Sequence, residues 1–326
     1  MSDSVKEFLE QAEFEEVDMR NSVNSASLNQ IVDTIKNKKD CILYGPPGTS
    51  KTFMVDSLAK ELGEKLGMIE TIQFHTNYSY EEFIEGIVPD VASGGFKYET
   101  GVFFDFCNQA SNTEFNNKTC VFVIDEINRA NVTAVFGEVM YLMEDKGKRH
   151  LKTSKQKLDF VIPDNIVIVG TMNTADKTLA KLDFAFRRRF RFLAVYPSAE
   201  TLHILISKAS FESSLGITVD DYVKCFEILN AKITKHPLLG KDLTLGHVLW
   251  TRKSDLSIPY TKQDIADIFR ETVFPQIESY CGSNRDVLGN LLGPEIRDKL
   301  IYGYTITDDE VIDYLLGLKN SKVVGS

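Results

Sequence analysis

The stretch GPPGTSKT, residues 45–52, has the residue types of a phosphate-binding loop: glycines for close backbone approach, then a lysine followed by a hydroxyl. In that chemistry Gly45, Pro46, Pro47, Gly48, Thr49 and Ser50 wrap the phosphates with the loop's available backbone N–H groups, at the start of a helix. Lys51 reaches the β- and γ-phosphates, and Thr52 ligates Mg²⁺. The pattern G-x-x-x-x-G-K-[ST] has glycine where Ser50 stands. A CH₂OH directed away from the nucleotide is tolerable there, and damaging only if the position needs positive φ. Two further runs supply carboxylates and an amide. VFVIDE (121–126) is an apolar strand ending in two acids, with Asp125 placed for the Mg²⁺ shell and Glu126 to orient and polarise the attacking water. IVIVGTMN (166–173) ends on Asn173, which either caps the strand or bonds the γ-phosphate or the water. FAFRRRFRF (184–192) contributes Arg187, Arg188 and Arg189. One of these cations suits the γ-phosphate of a neighbouring subunit, and the others suit salt bridges at the contact, because three consecutive side chains point in different directions.

Positioning such groups requires strands that end together. Five short β-branched runs qualify: 41–45, 68–75, 120–126, 166–173 and 190–196. Their continuous hydrophobicity suits strands buried on both faces, with helical patterns at 52–66 and 132–145 between them. The expected architecture is a doubly wound parallel sheet over residues 22–197 and a small all-helical domain over 198–326, preceded by an acidic helical segment, 1–21.

Composition narrows the classes. Hydrophobic residues make up 43% and charged residues 26% of 326, as in ordinary globular proteins. No apolar run is long enough to cross a bilayer, and the acidic N-terminus lacks the form of a signal peptide. Five dispersed cysteines and five dispersed histidines argue against a disulfide framework and a zinc site, and a cytoplasmic protein is expected. A net charge of −10 argues against non-specific DNA binding over the whole surface.

The runs GPPGTSKT, QFHTNYSYEEFIEG (73–86), FVIDEINRAN (122–131), FGEVMYLMEDKGKR (136–149) and GTMNTADKTLAKLDFAFRRRF (170–190) together resemble the AAA+ motors of the McrB family. The likeness extends through DLTLGHVLW (242–250). It implies a P-loop AAA+ sheet in the order 5-1-4-3-2 followed by a helical lid, with a β-hairpin inserted near 94–107. It also implies GTP with Mg²⁺, a hexameric ring of this chain, and a separate McrC-like nuclease subunit. DNA would be reached through a missing or separate recognition domain, since the residues before Cys41 are too few to form one: either the chain is a motor fragment or a partner supplies the targeting. The family signature falls on Asn173, Thr174, Ala175 and Asp176, with catalytic or interface roles for Asn173 and Asp176. His247 occupies the place of a lid contact to nucleotide, its other reading being a core histidine; Arg252 and Arg285 are further lid candidates. Lys177 stands where the family has arginine, which removes a planar fork. Tyr78, Tyr80, Phe83 and Phe96 suit packing better than base stacking. Two other functions fit the same motifs: a MoxR-like ATPase chaperone, and a nucleotide-gated assembly scaffold with little turnover.

Overall fold

The computed structural model describes residues 28–90, 94–176, 182–209, 211–212, 214–252, 258–282, 284–302 and 306–320. The acidic segment 1–21 and Lys177 lie outside them. Two compact units divide the chain: Leu28–Tyr44 with Lys51–Ala194, and Gly45–Ser50 with the described residues from Val195 onward.

The first unit is built on a five-stranded sheet. Its strands are β1 (Cys41–Gly45), β2 (Leu66–Gln73), β5 (Thr119–Asp125), β8 (Ile166–Asn173) and β9 (Arg191–Ala194), ordered β2-β5-β8-β1-β9. All five expected runs form these strands, and the order is the one the resemblance implied. β2 with β5, β5 with β8 and β1 with β9 run parallel. The apolar runs of β5 and β8 are buried throughout, as a sheet covered on both faces requires.

The hairpin lies elsewhere than expected. Its strands are β3 (Glu85–Asp90) and β4 (Gly95–Thr100), paired antiparallel, and Val102–Ala110 is helix. The segment 94–107 therefore contains only the second strand, because the apolar VFFDFC run serves a buried helix face. Ile87 pairs with Tyr98 and Pro89 with Phe96, so one face of the hairpin carries four apolar side chains. Phe96 is 79% exposed and belongs to no core. Two further short strands, β6 (Leu151–Lys152) and β7 (Asp159–Phe160), form a second hairpin that the sequence patterns did not suggest.

Glu85 anchors these additions. Its carboxylate is fully buried and accepts from the Thr153 hydroxyl at 2.9 Å and from the backbone N–H groups of Lys155 and Gln156 at 2.5 and 3.0 Å. A buried charge is tolerated only when its lone pairs are met, and here donors converge from one loop. Beneath it lies an aromatic core. Phe83 stacks on Phe103 at 4.8 Å, and Phe103 meets Phe122 edge-on at 4.9 Å, tying the hairpin base to β5. Tyr78 and Tyr80 pack against this cluster as expected. The helical pattern at 132–145 breaks at Gly137, φ 49°, giving Val132–Phe136 and Val139–Leu142; a Cβ there would press on the Tyr80 ring.

In the second unit, helices include Ala199–Ser207, Val219–Lys235, Phe274–Cys281, Arg285–Leu292 and Asp308–Asn320. Trp250, fully buried, meets Tyr222 at 5.3 Å and Phe226 at 5.7 Å and forms the centre of their packing. Among the described residues no helix is long and apolar enough to cross a membrane. All five cysteines are buried thiols.

Candidate functional site

Parallel pairing brings the chemistry to one edge of the sheet. Register places Ile124 beside Gly170 and Gln73 beside Asp125, so Gln73, Asp125 and Thr171 form a row at the C-terminal ends of β2, β5 and β8. That edge is where ligands of open α/β sheets bind. The Thr171 hydroxyl donates to Asp125 Oδ1, and Gln73 Nε2 donates to Oδ2 at 3.3 Å. The Glu126 backbone N–H donates to Thr171 Oγ1 at 3.1 Å. One threonine thus ties the two acids to the neighbouring strand.

Glu126 has φ 53°, in the left-handed region, where the chain leaves β5 for the turn Ile127–Arg129. Its Oε1 accepts from Asn173 Nδ2 at 2.6 Å, and its Oε2 faces Arg129 Nε at 3.5 Å. Oε2 is buried and has no hydrogen bond. The Arg129 guanidinium thus offsets the charge on the oxygen that Asn173 does not hold. Asn173 therefore contacts the expected general base directly, and Asn128 Nδ2 donates to the Asn173 carbonyl at 3.4 Å. Thr174 and Ala175 are half-buried beyond the strand end, and Asp176 is exposed.

Lys51 opens the helix Lys51–Asp56 and is 7% exposed. Burial pushes its ammonium down from 10.5 to about 8, partly offset by the nearby Glu126 and Asp125 carboxylates. The sign of the linkage is definite. The nucleotide-free protein loses this charge as pH rises past about 8, whereas a bound triphosphate restores it. Nucleotide affinity is therefore expected to be level below that pH and to fall above it by up to roughly tenfold per pH unit. Folding stability moves oppositely, because between about 8 and 10.5 the unfolded chain binds more protons at this residue. Titrating a fluorescent nucleotide across this range checks the first trend, and denaturant midpoints check the second.

The loop Gly45–Ser50 belongs to the other unit, and a Cβ at Gly45 would collide with the Val195 carbonyl. Gly48 has φ 74°. Thr49, fully buried, donates its hydroxyl to the Pro46 carbonyl at 3.0 Å, which closes the turn through Pro47. Ser50 has φ 61°, so the position does require the conformation that a non-glycine residue resists, at a cost of about 1–2 kcal/mol. Its hydroxyl lies 2.9 Å from His247 Nε2. His247 is 3% exposed, so it is a core histidine whose ring touches the phosphate loop itself. Arg252 is bound to Asp264 at 3.1 Å and stacks over Tyr260, and Arg285 lies over Tyr302.

The three arginines separate by environment. Arg189, only 10% exposed, donates to the Met140 carbonyl at 2.9 Å and pairs with Glu144 at 2.7 Å. Its role is internal. Arg188 is 68% exposed and pairs with the same Glu144 at 2.9 Å, and Arg187 is exposed over the Phe192 ring at 5.0 Å. Phe184 beside them is 90% exposed, while Asp183 caps their short helix and Phe186 anchors it in the core. Arg187 and Arg188 thus lie at the surface.

The donors proposed for Mg²⁺, the exposed Thr52 hydroxyl and the half-exposed Asp125 carboxylate, are hard oxygens within reach of water. They fit a cation that keeps several waters and takes a few protein ligands beside phosphate oxygens.

An AAA domain of the dynein-related subfamily matches residues 40–190. Fold and sequence match together define a P-loop AAA+ domain. The type IV methyl-directed restriction enzyme EcoKMcrB subunit of Escherichia coli (strain K12) is 36% identical over 79% of this chain and 57% of its own length. Component YdiS of the type II restriction enzyme BsuMI, from Bacillus subtilis (strain 168), is 25% identical over 74% of this chain and 86% of its own. The AAA+ domain of this chain is McrB-like, and the chain spans little more than half the length of the McrB subunit.

Three residues here escaped the sequence reading: Thr171, Gln73 and Arg129. Each stands within a quoted run, but only strand register or the turn after β5 shows that it touches a carboxylate.

Proposed function

We propose that this chain is the nucleotide-driven motor of a restriction system, hydrolysing GTP with Mg²⁺ and working as a ring with a separate nuclease subunit. The observation that carries the reading is Glu126: a carboxylate held by Asn173 on one oxygen and facing Arg129 with the other, next to Asp125 and to a buried lysine. Glu126 accepts a proton from the attacking water and aligns it, with Asn173 fixing the carboxylate. Lys51 neutralises charge on the phosphates. Thr52 and Asp125 would hold Mg²⁺, which supplies charge neutralisation at the β- and γ-oxygens. Arg188, or Arg187, of an adjoining copy completes the site, as the exposed Phe184 ledge beside them supports. The resemblance to McrB supports GTP, and the likeness to two restriction components supports the nuclease partnership.

The test is steady-state hydrolysis of GTP and ATP by the purified chain and by three single arginine variants. GTP is expected to turn over faster. Arg188→Ala is expected to lower kcat by roughly 10³-fold with nucleotide affinity intact, the size seen for arginines supplied in trans. Arg189→Ala is expected to act on stability instead. Faster ATP hydrolysis would place the chain with MoxR-like chaperones, and normal turnover in all three variants would remove the role in trans.

A further inference from the structure

A phosphate loop with serine before its lysine needs something to hold that serine. The backbone at Ser50 sits at φ 61°, and its hydroxyl meets His247 Nε2 at 2.9 Å. On the opposite side of the ring, the Ser198 backbone N–H points at Nδ1 at 3.4 Å. An N–H can only donate, so Nδ1 accepts, and the proton of the neutral ring lies on Nε2. Nε2–H therefore donates to Ser50 Oγ. The segment bearing the ring is itself pressed onto the loop. The Val248 N–H donates to the Gly48 carbonyl at 3.0 Å, and a Cβ at Gly246 would collide with the Gly48 backbone. The turn His247–Trp250 ends on the fully buried Trp250, which fixes the ring's origin.

We propose that His247 is the positioning residue that lets this loop carry serine in the glycine place. Its hydrogen bond holds residue 50 in the left-handed conformation, and with it the direction of the loop amides toward the phosphates. Glycine reaches the same conformation unaided, so the histidine's contribution exists only when residue 50 is serine. This inference rests on the loop binding a nucleoside triphosphate.

A double-mutant cycle over Ser50→Gly and His247→Ala, read by GTP affinity and by kcat, tests it. With Ser50 present, His247→Ala is expected to weaken affinity about tenfold, the size of one hydrogen bond plus released strain, with little change in kcat. In the Ser50→Gly background, the same substitution is expected to cost about twofold or less, because only the loss of packing and of the Ser198 partner remains. His247→Gln, which can offer an amide N–H to Ser50, is expected to recover part of the affinity, and it replaces the alanine variant should that one not fold. Equal losses in both backgrounds would overturn the proposal, and so would no loss in either. Absence of nucleotide binding by the unsubstituted chain would overturn the site reading itself, an outcome separable from an additive cycle with binding intact.

Discussion

Glu126→Gln is expected to lower kcat by about 10²–10⁴-fold while leaving nucleotide affinity close to that of the unsubstituted chain. The amide has the shape of the carboxylate. Its oxygen can keep the bond from Asn173 Nδ2, 2.6 Å in the native protein, and its backbone meets the same φ of 53°. What it loses is the basic carboxylate oxygen, Oε2, which accepts no hydrogen bond and lies 3.5 Å from Arg129 Nε. Binding without turnover is therefore the specific outcome, and a ring that forms with nucleotide should persist. Phosphate release measured beside equilibrium nucleotide binding checks this. Turnover equal to that of the native chain would make the protein a nucleotide-gated scaffold.

Lys51→Ala is expected to raise the dissociation constant for nucleotide by at least about 100-fold, since hydrogen bonds to charged groups contribute roughly 1.5–3 kcal/mol each and the ammonium can make more than one. Loss of folding is not the expected cause. Burial disfavours this ammonium in the empty site, where it holds its proton less tightly than in water. Removing it is therefore expected to leave the melting temperature level or slightly raised. Affinity lost together with several degrees of melting temperature would instead make Lys51 structural.

The five core strands were legible because each is a short run rich in apolar and β-branched residues, mostly buried in β1, β5 and β8, and the sheet order came with the family resemblance. The proposed catalytic groups were legible for a related reason: Asp125, Glu126 and Asn173 stand where an apolar run stops. What stayed hidden depends on pairing between distant segments. Thr171 is one residue among IVIVGTMN until register sets it beside Asp125, and nothing local to LGHVLW says that its histidine meets Ser50. The hairpin was misplaced because EGIVPD contains a proline and two acids, a composition that reads as loop. The arginines needed burial to be told apart, since Arg187, Arg188 and Arg189 differ only in what surrounds them.

Residue 126 carries two requirements at once. Its backbone stands in a region that β-branched residues all but refuse, and its side chain must deliver an acid to one point. Aspartate would accept the backbone yet withdraw the acid by a methylene; glycine or asparagine would sit comfortably and be chemically inert. Substitutions at this position are thus filtered by conformation as well as by reactivity: if the proposed hydrolysis holds, its loss by a conservative exchange is open, while valine, isoleucine and threonine are closed to the backbone first.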